Sequence, residues 1–172
     1  FGAIDWRADV FLNGMQIGSH EGGFVPFSIN ITPFLQKGEQ ELVVKVWDPT
    51  DRGYQACGKQ TVAQGKITYT SVTGIWQTVW LEPVHTSHIS SLRIVPDVDR
   101  NILSVMACVE AGVPTDMLEV NVYDSGQLVA SGKSINGEAV EVNMPENVKL
   151  WSPDSPFLYT LKVNLINKGK VV

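Results

Sequence analysis

The chain has 172 residues, of which 44% are hydrophobic, 18% charged and 9% aromatic, a composition typical of a globular protein with one domain or two smaller ones. Its formal net charge is −5 and the two signs are interspersed, so no basic face is available for a phosphate backbone. No apolar run approaches the roughly 20 residues that cross a bilayer, and we therefore expect neither a nucleic-acid nor a membrane partner.

The apolar residues alternate with period two, which is typical of half-buried strands. A first strand is predicted over 4–12 and a second over 15–17, joined at Asn13-Gly14, a pair that suits a tight hairpin turn. The segment ITPFLQKG predicts one or two helical turns, with Thr32 as N-cap, Pro33 at the first helical position and Gly38 as terminator. Further strands are predicted at 41–47, 65–69, 77–81, 91–95, 102–110, 118–123, 127–133, 139–142 and 158–166.

The alternation is interrupted once, in the stretch EPVHTSHIS, between two strand-rich halves of similar size. Many short strands with turn signals between them indicate β-sandwiches. We predict an all-β protein with a first domain over 1–85 and a second over 86–172. Both ends suggest a piece of a longer polypeptide, because the strand 158–166 and the turn that follows it leave only three residues for a returning strand.

Residues 48–60, within the stretch WDPTDRGYQACGKQ, are too polar for a strand and too rich in Asp, Pro and Gly for a helix. Their side chains offer carboxylate, guanidinium, phenol, amide and ammonium groups, which suit a ligand with many hydroxyl groups. The alternative is structural, since aspartate and arginine can pair and cap a loop of this kind.

The sequence contains none of the common catalytic motifs, such as Gly-x-Ser-x-Gly, HExxH or a glycine-rich phosphate loop. Cys57 and Cys108 have no metal or redox spacing, and His85 and His88 lack a third ligand nearby. We expect no catalytic residue, metal site or cofactor within this chain. The five tryptophans are interpreted as core or domain-interface residues, with Trp76 the least certain.

Several motifs in a fixed order resemble the N-terminal sugar-binding domain of family 2 glycoside hydrolases, the β-galactosidases and β-glucuronidases. These are Asn13-Gly14, the run HEGG from His20, Pro26-Phe27, Gly38-Glu39 and the run GIWQ from Gly74. The stretch LWSPDSPFLYTL resembles the closing part of the immunoglobulin-like domain of that family. The resemblance covers nearly the whole chain and implies a truncated jelly-roll followed by an immunoglobulin-like sandwich.

The resemblance implies a parent enzyme that hydrolyses terminal β-glycosidic bonds with two glutamates of a barrel domain, which this chain lacks. For this chain the resemblance implies a non-catalytic role, in which the barrel is a partner in cis and loop residues of the first domain contribute to the sugar site. The residues that receive this role are Asp51, Arg52, Tyr54, Gln55, Lys59 and Gln60. The alternatives are a stand-alone carbohydrate-binding module and a structural module that builds a homo-oligomer.

Overall fold

A computed structural model describes residues 1–63, 65 and 67–172. The chain divides into two compact units, Phe1–Glu82 and Pro83–Val172, each of which is described separately below. Strands form both units, and the helical content of the described residues is a single 3-10 turn, Thr32–Phe34. The predicted all-β class is confirmed.

The described part of the first unit contains three small sheets. Their strands are β1 (Ile4–Asp5), β2 (Arg7–Leu12), β3 (Met15–Glu21), β4 (Leu42–Trp47), β5 (Gln60–Thr61), β6 (Tyr69–Thr70) and β7 (Gly74–Ile75). The largest sheet has the antiparallel order β3-β2-β4, while β1 pairs with β7 and β5 pairs in parallel with β6. The 48–60 loop runs from the end of β4 into β5, and residues 72 and 73, just before β7, supply hydrogen-bond partners for its side chains.

The predicted first hairpin is present, and its turn uses the residues that the sequence singled out. Asn13 and Gly14 have φ angles of 52° and 78°, the positive values that a tight turn requires. The Asn13 side chain also donates to Gln40 Oε1 at 2.8 Å and accepts from the Glu41 backbone N–H at 3.0 Å. The turn is thereby tied to the start of β4. The alternation in β2 buries every second residue, namely Ala8, Val10 and Leu12.

Three local predictions for the first unit need comment. Thr32 lies inside the 3-10 turn and is not its N-cap, a position that Ile31 occupies; the Asn30 carboxamide oxygen accepts the Thr32 N–H at 3.0 Å. The predicted strand 65–69 includes Lys66, which lies outside the described residues, and Tyr69 alone of its remaining residues is in a strand. The predicted strand 77–81 is wrong. A strand needs a neighbour, and with the described residues this segment forms a single ladder-like bond, from Gly2 N–H to Thr78 O at 2.8 Å.

The second unit is a β-sandwich. Its strands are β8 (His88–Asp97), β9 (Ile102–Glu110), β10 (Met117–Asp124), β11 (Gln127–Ile135), β12 (Val140–Asn143), β13 (Thr160–Asn167) and β14 (Lys170–Val171). One sheet has the order β12-β9-β8 and the other the order β11-β10-β13-β14. Each predicted strand of this half has a counterpart, and the bounds of β9 agree with the prediction at both ends.

Inward side chains from both sheets of the second unit form its core. These residues are Val105, Ala107, Leu118, Val120, Val122, Val140, Val142 and Leu165. The β11 strand approaches β12 closely at Gly132, where a Cβ atom would lie 2.9 Å from Val140 Cγ1 and 3.0 Å from the Glu141 carbonyl oxygen. Glycine is therefore the residue that lets the edges of the two sheets meet here.

A buried carboxylate holds together two connections of the second unit. Asp116 is 1% exposed, and its Oδ2 accepts the Val113 N–H at 2.9 Å while its Oδ1 accepts from Asn167 Nδ2 at 2.8 Å. Its backbone carbonyl also accepts the Asn136 N–H at 2.8 Å. One residue thus connects the start of β10 to the turn after β11 and to the end of β13.

Candidate functional site

The six candidate residues lie in the 48–60 loop of the first unit, between β4 and the end of β5. The loop begins with Asp48, whose Oδ1 accepts the Thr50 N–H at 2.7 Å and whose Oδ2 accepts from Thr73 Oγ1 at 3.1 Å. Thr50 is buried and has a φ of 57°, a left-handed conformation that the Asp48 hydrogen bond stabilises. The first turn of the loop is therefore built by its own side chains.

Three of the candidates bind backbone groups and hold the loop in place. Gln55 Nε2 donates to the Thr50 carbonyl at 2.7 Å, and Gln60 Oε1 accepts the Val72 N–H at 2.6 Å. Asp51 Oδ2 accepts the Val62 N–H at 3.3 Å. These contacts support the structural alternative for this half of the set, because the polar atoms they use are already paired within the unit.

The other three candidates, Arg52, Tyr54 and Lys59, project from the loop. Tyr54 is 89% exposed and its ring meets that of Trp6 edge to face, with centroids 5.8 Å apart. Arg52 and Lys59 are exposed, and their side chains form no ion pair or hydrogen bond with any residue that the structure describes. The loop therefore exposes two cationic donors and one phenol.

A second carboxylate, which the sequence did not single out, lies beside the base of the loop. Partial burial raises the pKa of Asp5 above its ordinary value, and the negative charge of Asp48 raises it further. Asp5 is in β1, far from Asp48 in sequence, and the pairing of β1 with β7 places it there. No spacing in the sequence could have joined these two residues.

The two carboxylates line a shallow depression together with Thr50, Ala56, Cys57 and Gln60, and it has essentially no room for a water molecule. Ligand-binding pockets generally measure about 300–1,000 Å³, so this depression is too small to enclose a sugar ring. A glycosidic bond must fit between an acid and a nucleophile before it can be hydrolysed. The Asp5–Asp48 pair does not offer that space.

The run HEGG from His20 has a structural role in the first unit. His20 and Glu21 end β3, and the His20 ring stacks on that of Phe27 with centroids 4.3 Å apart. Glu21 pairs with Arg7 at 3.8 Å. The indole N–H of Trp76 donates to the Gly23 carbonyl at 2.6 Å, which ties this turn to the end of β7. Two of the motifs that carry the family resemblance thus contact each other.

Within the described ranges, no group of three or more histidine, cysteine or acidic side chains is arranged to hold a metal ion. No helix formed by these residues has the length and apolar character needed to cross a membrane. The expectation that the chain holds no metal and no cofactor stays a prediction.

Both units match sequence models of known families. The sequence model described as glycosyl hydrolases family 2 matches residues 87–172, and the one described as glycosyl hydrolase 2 galactose-binding domain-like matches residues 1–76. The chain belongs to glycosyl hydrolase family 2. The resemblance drawn from the sequence motifs is confirmed.

Curated relatives of this family 2 chain are much longer than the chain itself. A putative β-glucuronidase of Formosa agariphila is 30% identical over 180 residues, which cover 100% of this chain and 21% of the relative. A β-galactosidase of Thermoanaerobacter pseudethanolicus is 26% identical over 175 residues, which cover 96% of this chain and 23% of the relative. The chain therefore spans about a fifth to a quarter of the length of these relatives.

Solved structures of the family share the fold. An FMN-binding β-glucuronidase from Facaelibacterium prausnitzii superposes with a TM-score of 0.74 at 22% identity, and 99% of this chain matches 27% of that one. A β-glycosidase from Bacteroides vulgatus gives a TM-score of 0.76 at 22% identity, with 99% of this chain and 21% of that one covered. At these identities the likeness concerns the fold alone.

Proposed function

We propose that the two units are non-catalytic domains of a glycoside hydrolase that cleaves terminal β-glycosidic bonds. Membership of family 2 and the small share of the relatives' length that the chain covers support this assignment. The two catalytic glutamates then belong to a barrel domain elsewhere in the same polypeptide. In this arrangement the 172 residues have no hydrolytic activity of their own.

The 48–60 loop of the first unit is proposed to contribute side chains to the sugar site. The observation that carries this proposal is that three candidate side chains bond backbone groups, whereas the other three project from the loop. Arg52, Tyr54 and Lys59 are the residues proposed to face the substrate. Asp51, Gln55 and Gln60 are proposed to keep them in position, as a preorganised site requires.

The first unit also exposes a surface suited to a protein partner. Large apolar side chains are exposed along residues 67–81, a run that comprises Ile67, Tyr69, Val72, Ile75, Trp76, Val79, Trp80 and Leu81. Extensive exposed apolar surface is typical of protein–protein contacts. We assign this run to the interface with the barrel domain in cis. The same surface supports a second candidate function, a structural module that forms an oligomer, for which sedimentation velocity is the direct measurement.

The proposed function can be tested by comparing two polypeptides. The 172-residue chain and the longer protein encoded by the same gene are purified and assayed with 4-nitrophenyl β-D-glucuronide and 4-nitrophenyl β-D-galactoside. We expect hydrolysis of at least one substrate by the longer protein and none by the 172-residue chain. Hydrolysis by the shorter chain, persisting through purification, would contradict the assignment of a non-catalytic role.

The role of the loop is tested in the longer protein by Arg52→Ala and Lys59→Ala. If these cations bind substrate hydroxyl or carboxylate groups, KM rises by about tenfold, since a charge-assisted hydrogen bond contributes about 1.5–3 kcal/mol. The matched control is Arg100→Ala, which removes an exposed arginine from the turn between β8 and β9 in the second unit. Equal KM values for all three variants would exclude the loop from the substrate site.

A further inference from the structure

Four apolar side chains form one row across the outer face of a sheet in the second unit. Met117 of β10 lies opposite Ile135 of β11 on one side and opposite Ile166 of β13 on the other, and Ile166 lies opposite Val171 of β14. Met117 precedes Leu118, whose side chain points into the core, so the row lies on the opposite, outer face. We refer to Ile135, Met117, Ile166 and Val171 as the outer row.

The outer row is open to solvent. Ile135 is 50%, Met117 38% and Val171 63% exposed, and Ile166 is half-buried between its neighbours. Adjacent strands lie about 4.8 Å apart, so the row is a continuous apolar band about 14 Å long across four strands. Apolar side chains exposed singly are normal on a protein surface, whereas a contiguous group is typical of a contact surface.

The neighbouring positions on the same face are polar, and their charges are already paired. Glu119 lies opposite Lys133 on one side and Asn164 on the other. Its carboxylate is 2.7 Å from Lys133 Nζ and accepts from Asn164 Nδ2 at 3.0 Å. Burial of a charge is costly unless the charge is paired and hydrogen-bonded, and Glu119 meets both conditions. A partner can therefore cover this face without leaving an unpaired carboxylate.

A second copy of the chain is complementary to this face. If two copies meet face to face about a two-fold axis parallel to the strands, the order of the strands is reversed between them. Ile135 then lies over Val171 of the other copy, and Met117 lies over Ile166, so the outer row packs against itself. In the next row Glu119 lies over an asparagine of the other copy and not over a second carboxylate.

Two turns at the same end of the sheet carry opposite charges. Glu138 is in the turn that follows β11, and Lys168 is in the turn between β13 and β14. Both side chains are exposed and form no ion pair with any residue that the structure describes. The same two-fold axis brings the Glu138 turn of one copy over the Lys168 turn of the other, twice in each dimer. This charge complementarity favours a second copy as the partner.

We propose that the second unit forms a symmetric homodimer through the outer face of its β11-β10-β13-β14 sheet. The three long strands give this face dimensions of about 14 Å by 24 Å, roughly 340 Å². A partner in a standard complex buries about 800 Å², so we expect weak association with a dissociation constant of about 100 μM. This surface is distinct from the run 67–81 of the first unit, and its role does not depend on the glycosidase assignment.

The first test is sedimentation velocity of the 172-residue chain between about 5 and 500 μM, a range that spans the expected dissociation constant. The sedimentation coefficient should rise from that of a monomer towards that of a dimer. Ile135→Lys should weaken association at least tenfold, because it inserts a charge into the outer row. The matched control is Leu150→Lys, since Leu150 is 55% exposed outside the row and its replacement should leave association unchanged.

Charge reversal tests the direction of the two-fold axis. Glu138→Lys alone, or Lys168→Glu alone, places like charges over each other at two points of the dimer and should weaken association about tenfold. The combination of both substitutions restores opposite charges and should return the affinity to that of the unsubstituted chain. Both positions are exposed and lie in turns, so these variants keep the test valid even if Ile135→Lys disturbs folding.

Two variants test whether the first unit causes the association instead. Trp47 and Trp80 are 55% and 57% exposed, so Trp47 is not the core residue that its strand pattern allowed, and Trp47→Ala and Trp80→Ala should leave the dimer unchanged. A monomer up to 500 μM, or a combined charge-reversal variant that stays as weak as the single ones, would overturn the proposal. So would a loss of association in Trp80→Ala that equals the loss in Ile135→Lys. Hydrolysis is measured separately, so failure of the dimer and failure of the glycosidase assignment give different results.

Discussion

Replacement of Asp116 by alanine should destabilise the second unit strongly. The buried carboxylate accepts two hydrogen bonds, at 2.9 Å from the Val113 N–H and at 2.8 Å from Asn167 Nδ2. A hydrogen bond to a charged group contributes about 1.5–3 kcal/mol, and its loss leaves the donor without this partner. Taking the lower end of that range for each bond, we expect the free energy of unfolding to fall by about 3 kcal/mol.

The assay is urea unfolding followed by the NMR signals of residues in Pro83–Val172, so that the two compact units are observed separately. Asp116→Asn keeps one acceptor oxygen and should lose about half as much free energy as Asp116→Ala, roughly 1.5 kcal/mol. Asp154→Ala is the matched control, because this carboxylate is exposed and should change stability by less than about 0.5 kcal/mol.

A loss of less than about 1 kcal/mol of unfolding free energy in Asp116→Ala, the value of a single neutral hydrogen bond, would contradict this prediction. Such a result would mean that water replaces the carboxylate or that Asn167 finds another acceptor. Amide hydrogen exchange of Val113 distinguishes these outcomes, since its N–H exchanges slowly only while it remains bonded.

Three further predictions concern other sites. The hydrogen bond from Lys133 lowers the pKa of Glu119 to about 2. The Glu119 carboxylate therefore stabilises the folded state above its unfolded pKa, and this contribution is lost as the pH falls through about 2. An NMR titration of Glu119 should show that midpoint, and Lys133→Met should move the midpoint upwards. Burial and then the charge of Asp48 raise the pKa of Asp5, so the folded state favours protonated Asp5. Asp5→Asn should therefore raise the melting temperature at neutral pH and leave it unchanged at about pH 3. A stabilising ion pair would give the opposite result at neutral pH. Gly132→Ala should lower the free energy of unfolding in urea by about 1–3 kcal/mol, because the new Cβ atom would contact β12. An unchanged urea midpoint would show that β11 and β12 can move apart without loss of stability.

The strands of the second unit were predictable because their local signals agree with their surroundings. Turn residues bound β9 and β10, and alternation along β10 places Leu118, Val120 and Val122 on one face, where the opposite sheet covers them. Each strand also has a hydrogen-bonded neighbour close in sequence or across the sheet. Local pattern and tertiary environment therefore lead to the same structure.

The segment 77–81 shows the opposite case. Its alternation and its aromatic content favour a strand, yet a strand exists only where a second chain segment pairs with it, and pairing depends on residues distant in sequence. The same limit applies to Trp47. Period two shows that its side chain points to one face of the sheet but does not reveal whether anything covers that face.

The amino-acid sequence alone determined the all-β class, the first hairpin, the family and the stretch of polar residues in which a sugar contact is proposed, because each depends on neighbouring residues or on an ordered set of motifs. The tertiary structure decided which polar side chains are left for a ligand. Gln55, Gln60 and Asp51 are engaged by backbone groups 5 to 12 residues away, whereas Arg52, Tyr54 and Lys59 are not. The proximity of the Asp5 and Asp48 carboxylates and the contact of Trp6 with Tyr54 likewise required the folded chain, since charge interactions and ring contacts depend on distance in space and leave no mark in the spacing of residues.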